Sequence, residues 1–326
     1  MGRVFVARAI PGHAPELLAA AGHEVEQWPQ DLPAPPEALA AALARADGAI
    51  TMVVDKVDAA MLAGAPRLRI LANMAVGYDN VDPVVAADAG VWLTNTPGVL
   101  AETSADFAFA LMLGLARQLG ASEADTRAGG WKTWTPTAFL GTDVHGATLG
   151  IVGMGEIGEA MARRAAGFDM RVLYASRTRK PALEAQRGYS WASFEELLEQ
   201  SDFVSIHTPL TPETHHLFGA PEFARMKREA MLINTSRGRV IDQDALVAAL
   251  QARELAGAAL DVTDPEPLPL DHPLFALPNV VITPHIASAS LATRSRMAEM
   301  AAANVIAVLE GREPYNPVNR PAHPRS

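Results

Sequence analysis

Short apolar runs alternate with helical patterns along the first 97 residues. The runs are typical of buried β-strands, and the apolar spacing between them is typical of amphipathic helices. Strands separated by helices predict βαβ crossovers and a parallel sheet. The predicted strands are Val4–Ala7, Ala49–Val53, Leu68–Ala72 and Val91–Leu93, and the predicted helices are Ala14–Ala21, Pro36–Ala46, Ala59–Leu62 and Pro83–Ala89.

A turn at Asn95–Gly98 precedes a long helix, from about Ala101 to Gln118, that is apolar on most of its sides. A helix of this kind has to be buried, which predicts a position between domains or between subunits.

Six further strands are predicted in the second half of the chain, which is the number in a complete dinucleotide-binding sheet. The last helix, about Leu291 to Leu309, has no strand after it, so we expect it to return to the N-terminal unit. The tail from Pro314 onward is expected to be extended. We therefore predict two α/β domains, residues 1–97 with 287–326, and residues 98–286. The strands are Thr148–Val152, Arg171–Tyr174, Phe203–Ile206, Met231–Ile233, Gly257–Leu260 and Val280–Ile282, and the helices are one from Gly158 to about Ala166, one opened by a capping box at Ser193–Glu196, Pro221–Met226 and Asp242–Arg253.

The composition narrows the class of protein. The length of 326 residues suits about two domains. A formal charge of −10 argues against nucleic acid or an anionic membrane surface as the main partner. The absence of cysteine excludes disulfides, a thiolate nucleophile and Cys-ligated metal sites. No spacing of His, Asp and Glu indicates a dedicated metal site either.

The sequence predicts neither a membrane span nor a secretory signal. The longest apolar run, Phe107 to Ala116, is about half the length of a span. Arg8 and Pro11 interrupt the first apolar stretch, which is atypical of a signal peptide. We expect a soluble protein of the cytoplasm.

A glycine-rich turn marks the start of the second sheet. Gly153, Gly155 and Gly158 form a G-x-G-x-x-G pattern that follows a predicted strand and opens a predicted helix, the context that dinucleotide binding requires. The first glycine permits the tight turn, the second lets the backbone approach a pyrophosphate, and the third allows close helix packing. The helix N-terminus offers N–H donors and partial positive charge to the phosphates.

The end of the next strand indicates which dinucleotide binds. NAD-binding domains place an acidic residue there for the ribose 2′-hydroxyl, but this chain has Ser176, followed by Arg177, Arg179 and Lys180. A 2′-phosphate would be repelled by a carboxylate and paired by arginine. We therefore expect NADPH to be preferred over NADH, the alternative being a solvated basic turn.

Polar and ionisable residues follow every strand of the second sheet. In an open parallel sheet, ligands bind beyond the carboxyl ends of the strands. Arg237 follows the fourth strand, Glu266 lies in the loop after the fifth, and His285 follows the sixth. His can hold and release a proton near pH 7, a carboxylate partner favours its charged form, and Arg can grip a carboxylate. These three residues therefore suit reduction of a carbonyl, with Arg237 as anchor and His285 as acid. Taken singly, each could be a solvated polar residue.

At these positions the sequence resembles the D-isomer-specific 2-hydroxyacid dehydrogenases, above all the glyoxylate/hydroxypyruvate reductase branch. The resemblance spans nearly the whole chain. It implies two Rossmann-like or flavodoxin-like α/β domains with parallel sheets and a cleft between them, and usually a homodimer. The matching blocks are residues 75–82, 95–100, 150–158, 174–180, 234–238, 259–262 with Glu266 and Pro267, and 283–286.

The family implies roles for individual residues. Residues 1–97 with 287–326 become the substrate domain, and residues 98–286 the dinucleotide-binding domain with the dimerisation helix. The backbone of Val76 and Gly77 binds the substrate carboxylate, while Met52 and Leu100 line the pocket. Trp134, more than Trp131, is the candidate to reach the neighbouring subunit's pocket, unless both simply pack in the dimer interface.

The cofactor site is expected to draw on residues that follow all six predicted strands of the second sheet. The resemblance places Asp261 near the nicotinamide amide, and Thr208, Thr235 and Ser288 around the cofactor. The full set is Gly153, Met154, Gly155, Glu156, Ile157, Gly158, Ser176, Arg177, Thr178, Arg179, Thr208, Pro209, Thr235, Ser236, Asp261, Ala287 and Ser288.

The sequence thus predicts an NADPH-preferring reductase of small 2-keto acids, glyoxylate and hydroxypyruvate first, with NADH as a second cofactor. Arg237, Glu266 and His285 are its predicted catalytic residues. One alternative is a dehydrogenase of another 2-hydroxy acid, such as D-lactate or D-3-phosphoglycerate, or of formate as a simpler relative. Another is a dinucleotide-sensing corepressor, which the short Pro-rich tail disfavours.

Overall fold

A five-stranded parallel sheet organises the N-terminal part of the chain in the computed structural model, which describes residues 1–325. The strand order is β2-β1-β3-β4-β5, and every pairing is parallel. The strands are β1 (Arg3–Val6), β2 (Glu24–Gln27), β3 (Gly48–Thr51), β4 (Ile70–Asn73) and β5 (Trp92–Thr94), connected by helices α1 (Ala14–Ala20), α2 (Pro36–Arg45), α3 (Ala59–Ala63) and α4 (Pro83–Asp88).

Two helices follow this sheet in the chain. Helix α5 (Ala101–Ala116) packs against the second sheet and one of its helices, and nine of its residues are buried. The predicted burial of this helix is confirmed, and its burial arises within the second unit. Helix α6 (Leu119–Arg127) was not predicted, because it has no buried residue and so carries no apolar stripe.

A seven-stranded parallel sheet forms the second part, in the order β12-β11-β10-β9-β6-β7-β8. Its elements are β6 (Thr148–Val152), α7 (Glu156–Ala165), β7 (Arg171–Ala175), α8 (Pro181–Arg187), β8 (Ser190–Trp191), α9 (Phe194–Gln200), β9 (Phe203–Ile206), α10 (Ala220–Arg225), β10 (Met231–Asn234), α11 (Gln243–Gln251), β11 (Gly257–Leu260) and β12 (Val280–Ile282). An α/β fold with two parallel sheets is confirmed.

The predicted count of six strands in the second sheet is wrong, because β8 adds a seventh. This strand has two exposed residues at the sheet edge, so it lacks the buried apolar run by which strands are recognised. Strand β2 was missed for the same reason, since its edge position leaves glutamate and glutamine side chains outside the core. Predicted strand Ala49–Val53 ends at Thr51, where the Met52 N–H donates to the Asp55 carboxylate (2.7 Å) and turns the chain.

The start of α9 is the capping box that the sequence predicts. The Ser193 hydroxyl accepts from the Glu196 N–H (3.1 Å), and the Glu196 carboxylate accepts from the Ser193 N–H (3.0 Å). Two otherwise unsatisfied backbone donors are thereby paired at this helix end.

The C-terminal segment belongs to the first sheet. Helix α12 (Leu291–Leu309) packs on β3, β4 and α1, and the tail forms an antiparallel bridge between Pro317 and Thr94 of β5. The chain therefore divides into two compact units, residues 1–100 with the segment from Ala289, and residues 101–288. The sequence places these boundaries after residues 97 and 286. Across residues 1–325, no helix combines the length and the apolarity that crossing a membrane would need.

Candidate active site

The candidate site lies where the strands of the seven-stranded sheet end. Strands β10, β11 and β12 are neighbours in register, with Asn234 beside Leu260 and Leu260 beside Ile282. The loops that follow them therefore emerge at one edge of the sheet. These are the loops that carry Arg237, Glu266 and His285.

The three glycines of the G-x-G-x-x-G turn have different surroundings, so a side chain would have a different effect at each. Gly153 has φ +99°, and a Cβ there would lie 2.8 Å from the carbonyl of His207. A Cβ on Gly158 would lie 2.1 Å from the Gly153 oxygen, so helix α7 could not pack as closely with any side chain there. Gly155 has no atom within 4 Å of its would-be Cβ. The second glycine thus borders open space in front of the helix.

This open space suits an anionic group of a nucleotide cofactor. The first N–H groups of α7 have no partner within the helix, and a helix N-terminus attracts negative charge. In the loop after β10, at the same sheet edge, the buried Thr235 hydroxyl has no hydrogen-bond partner within residues 1–325. The chain brings the other predicted cofactor residues to this edge as well: Met154, Glu156 and Ile157 at the start of α7, Thr208 and Pro209 after β9, Ser236 after β10, and Ala287 and Ser288 after β12.

The four predicted residues after β7 are not equivalent in the structure. The Arg179 guanidinium donates to both oxygens of Glu184 (2.8 and 2.7 Å) and lies 5.8 Å from the centre of the Trp191 ring. Hydrogen bonds from Arg179 and from the Tyr174 hydroxyl lower the pKa of Glu184 to about 2. Arg179 is therefore held by a carboxylate that stays charged.

Arg177 and Ser176 differ from Arg179 in their surroundings. Arg177 is exposed. Hydrogen bonds from Thr211 and from its own backbone lower the pKa of Glu213, and the Arg177 charge adds a smaller effect in the same direction. The Ser176 hydroxyl donates to the carbonyl of Thr178 (2.7 Å), which closes a tight turn. Sequence reasoning missed Glu184, although its place in a helix directly after the basic turn was a usable signal.

Asp261 fixes the loop that carries His285. Its carboxylate is 1% exposed and accepts hydrogen bonds from the Thr283 hydroxyl (2.6 Å) and from the N–H groups of Ile286 (2.9 Å) and Ala287 (2.7 Å). A buried carboxylate is tolerated when several donors satisfy it. The observed partners of this residue are protein groups, and its expected place near the nicotinamide amide stays a prediction.

Arg237 lies on a loop that Asn234 holds. The Asn234 side chain donates to the Arg237 carbonyl (2.9 Å) and accepts from the N–H (3.0 Å) and hydroxyl (2.9 Å) of Ser236. The next residue, Gly238, touches the loop after β11, since a Cβ there would lie 2.0 Å from the Thr263 oxygen. The absence of a side chain at this position therefore keeps the two loops in contact.

Glu266 and His285 form a hydrogen-bonded pair. The Glu266 Oε2 lies 2.9 Å from His285 Nδ1, and the two side chains are 29% and 32% exposed. The Thr263 N–H donates to the other carboxylate oxygen (3.1 Å). His285 has φ +54°, a strained conformation for a non-glycine residue, and its N–H donates to the Asp261 carbonyl (2.9 Å). A carboxylate on Nδ1 orients the ring and fixes its tautomer, as in many acid/base pairs.

The predicted substrate residues Met52, Val76, Gly77 and Leu100 belong to the first unit. Met52 follows β3, and Val76 and Gly77 form the loop after β4. Leu100, which ends the contiguous part of this unit, is buried.

Trp131 and Trp134 are 71% and 80% exposed, in a segment from 128 to 141 in which every residue is exposed. The structure brings neither tryptophan to the candidate site within the described part of the chain. Among residues 1–325, no three His, Asp or Glu side chains converge as metal ligands.

His207 follows β9 at the same edge and was given no chemical role. Its Nε2 lies 2.8 Å from the Ser205 hydroxyl. Burial lowers the pKa of His207 to about 4, so the ring is neutral at pH 7. A neutral imidazole next to the glycine-rich turn adds no charge there.

The chain matches one known protein family and is similar to individual members of it. A family model described as D-isomer specific 2-hydroxyacid dehydrogenase, NAD binding domain, matches residues 109–287. A glyoxylate reductase of Korarchaeum cryptofilum is 49% identical over 320 residues, which cover 98% of this chain and 96% of that protein.

Solved structures resemble the chain over its whole length. A crystallised protein of Thermus thermophilus is 50% identical with a TM-score of 0.91, covering 97% of this chain and 99% of its own. An NADPH-dependent glyoxylate/hydroxypyruvate reductase of Sinorhizobium meliloti, solved with NADP and malonate, is 32% identical with a TM-score of 0.85, covering 99% and 97%.

The buried state of His207 predicts a pH dependence of stability. Because its folded pKa is lowered, the unfolded chain binds a proton that the folded chain does not. This contribution to the free energy of unfolding is complete above the unfolded pKa of about 6.5 and is lost as the pH falls towards 4. We expect the ring protons of His207 to titrate near pH 4 in an NMR experiment, and His207→Gln to lose less stability than the wild type over this interval. A midpoint near 6.5 would contradict the expectation.

Proposed function

Because the chain belongs to the D-isomer specific 2-hydroxyacid dehydrogenase family, we propose that it reduces small 2-keto acids with a nicotinamide dinucleotide, glyoxylate and hydroxypyruvate first. The observation that carries the proposal is the His285–Glu266 pair. Its two residues follow β12 and β11, and β11 lies beside β10, the strand before Arg237. The glycine-rich turn of a cofactor site lies at the same sheet edge. An acid, an anchor and a hydride donor are what carbonyl reduction needs.

The proposed reaction assigns one task to each side chain. A nicotinamide dinucleotide, when bound beside the glycine-rich turn, would supply the hydride that the keto carbon accepts. His285 gives a proton from Nε2 to the keto oxygen, so that the carbonyl becomes a hydroxyl and the product is a 2-hydroxy acid. Glu266 holds the ring through a hydrogen bond to Nδ1, which leaves Nε2 directed away from the carboxylate.

Anchoring of the substrate falls to a guanidinium and to backbone amides. Arg237 offers planar, charge-assisted hydrogen bonds to the carboxylate and to the keto oxygen, where negative charge develops. The N–H groups of Val76 and Gly77 are the further donors proposed for the carboxylate, and Met52 and Leu100 the apolar lining. Holding both the carboxylate and the keto oxygen of so small a substrate fixes its orientation for hydride transfer.

Removal of the proposed acid gives the first test. His285→Ala should lower kcat by on the order of 10²-fold or more, as for loss of a general acid. Glu266→Gln keeps a hydrogen-bonding group beside the ring and should therefore lower kcat less. Arg237→Ala should also raise KM steeply, because the carboxylate anchor is lost.

His216→Ala is the matched control, since this exposed imidazole stacks on His215 in a loop outside the site. It should leave turnover of glyoxylate and hydroxypyruvate unchanged. Near-normal turnover of both His285→Ala and Arg237→Ala would show that the site is assigned wrongly. A wild-type enzyme that acts only on other 2-keto acids in a substrate panel would correct the substrate and keep the mechanism.

The choice of cofactor forms a second part of the proposal, which is that NADPH is preferred and NADH is also accepted. Support comes from the end of β7, where Ser176 stands in place of the acidic residue of NAD-binding domains. Arg177 is exposed there, whereas Arg179 is engaged by Glu184. We therefore infer that Arg177 is the cation that recognises the 2′-phosphate. The Sinorhizobium meliloti reductase, 32% identical to this chain, is NADPH-dependent.

Arg177→Ser should weaken NADPH binding about tenfold or more, since a charge-assisted hydrogen bond is lost, and leave NADH binding unchanged. Dissociation constants from nicotinamide fluorescence measure both. Arg171→Ser is the control, because Arg171 lies at the opposite end of the same strand. Equal losses for the two cofactors would contradict a role in reading the 2′-phosphate.

A homodimer is the third part of the proposal. The segment 128–141 is exposed throughout and contains Trp131, Trp134, Phe139 and Leu140. An apolar surface of this kind is typical of a protein interface. We assign the segment to contact with a second copy of the chain, with Trp134 reaching the partner's substrate pocket.

Sedimentation velocity should give about twice the chain mass of 34.6 kDa. Trp131→Asp with Trp134→Asp should shift the protein towards monomer, because two charges would be buried in the interface. Leu270→Asp changes an equally exposed apolar residue elsewhere and should leave the dimer intact. A monomeric wild type would refute the assignment.

A further inference from the structure

Three successive carbonyl groups in the loop after β4 are held from within the first unit. Each accepts one hydrogen bond from a different donor, and all three donors lie at the ends of β4 and β5. The bonds run from the Thr96 N–H to the Ala75 oxygen (2.9 Å), from Asn95 Nδ2 to the Val76 oxygen (2.8 Å) and from Asn73 Nδ2 to the Gly77 oxygen (2.8 Å).

Anchoring these carbonyls sets the direction of the amides between them. In a trans peptide unit, the C=O of one residue and the N–H of the next point in opposite directions. A bond to the Ala75 oxygen therefore turns the Val76 N–H outward, and a bond to the Val76 oxygen turns the Gly77 N–H outward. Neither N–H has a hydrogen-bond partner within residues 1–325, and Val76 is exposed. Two adjacent outward amides of this kind form an anion-binding concavity.

Asn95 is the only side chain among the three donors that directs either of these two amides. Asn73 acts on the Gly77 oxygen, which sets the direction of the following N–H, and Thr96 uses its backbone. The Asn95 side chain thus determines where the Gly77 N–H points.

Asn95 is itself held by the C-terminal tail. Its N–H donates to the Asn316 carbonyl (3.3 Å), next to the bridge between Thr94 and Pro317. The buried Asn304 of α12 accepts from the Asn316 N–H (3.0 Å) and donates to the Asn316 side chain (3.2 Å). The position of Asn95 is therefore set by groups outside the loop that it orients.

We propose that Asn95 is a positioning residue for the substrate carboxylate, acting through the Val76 carbonyl on the Gly77 N–H. The inference rests on the proposed function for the identity of the anion, and on the hydrogen bonds of the first unit for the geometry. In this proposal Asn95 does not contact the substrate. Its removal changes the direction of the Gly77 N–H and leaves all groups of the second unit in place.

The probe is oxalate, a two-carbon dicarboxylate that resembles the substrate and cannot be reduced by hydride transfer at a keto carbon. Titration of the wild type with oxalate, followed by NMR of the backbone amides, should shift the Val76 and Gly77 signals. Asn95→Ala should weaken oxalate binding about tenfold and raise the KM for glyoxylate by a similar factor, while kcat changes less and the dissociation constant of NADPH stays unchanged.

Two further variants separate positioning from a loss of structure. Asn95→Asp keeps the size of the side chain and replaces the donor by a charged acceptor facing the Val76 oxygen, so it should weaken oxalate binding at least as much. Asn279→Ala removes a comparable bond, from a half-buried asparagine to the Ala256 carbonyl (3.1 Å) in the second unit, and should leave oxalate binding unchanged. Melting temperatures of all three report on folding.

The outcomes distinguish this inference from the proposed function. Oxalate that binds both Asn95 variants as tightly as the wild type overturns the positioning role, while turnover of glyoxylate still supports the enzyme. Oxalate that leaves the Val76 and Gly77 amides unshifted overturns the anion site. A wild type that reduces no 2-keto acid, but whose two amides respond to oxalate in an Asn95-dependent way, refutes the function and keeps the inference.

Discussion

Parallel strand pairing forces the carboxyl ends of neighbouring strands onto one edge of a sheet, and the candidate chemistry of this chain depends on that constraint. Arg237, Glu266 and His285 are distant in sequence, yet they follow β10, β11 and β12, which pair side by side in register. No local motif connects them. A shift of one strand against its neighbours would separate Glu266 from His285, because the two residues lie on loops that follow different strands.

Buried polar side chains then fix the loops that leave each sheet edge. Asp261 satisfies three donors of the loop bearing His285, and Asn234 holds the turn before Arg237. In the first unit, Asn73 does the same for the loop after β4. Burial of such groups costs free energy unless they are fully hydrogen-bonded, so each is matched by several partners. The result is a set of loops whose functional groups are oriented by buried polar side chains.

Sequence reasoning succeeded where one local pattern decides the outcome. The predicted and observed bounds of β6, β9, β11 and β12 coincide, because these central or apolar strands stand between clear turn signals. Strands β2 and β8 were not predicted, since edge strands do not need apolar residues on both faces.

Prediction of the site has the same limit. Glycine spacing and strand ends indicated the turn at Gly153–Gly158 and the residues after each strand. The Arg179–Glu184 ion pair and the hydrogen bond from Asn95 to the Val76 carbonyl were not predicted. Both depend on contacts of individual side chains, which leave no periodic pattern in the sequence.

The discontinuous first unit has a consequence for synthesis of the chain. Its helix α12 and the tail residue Pro317, which bridges to Thr94 of β5, come from residues after 288, whereas the second unit is one uninterrupted segment. A nascent chain therefore presents the complete sequence of the second unit before that of the first. The packing of β3 and β4 against α12 therefore cannot be completed until α12 has been synthesised, after the whole of the second unit.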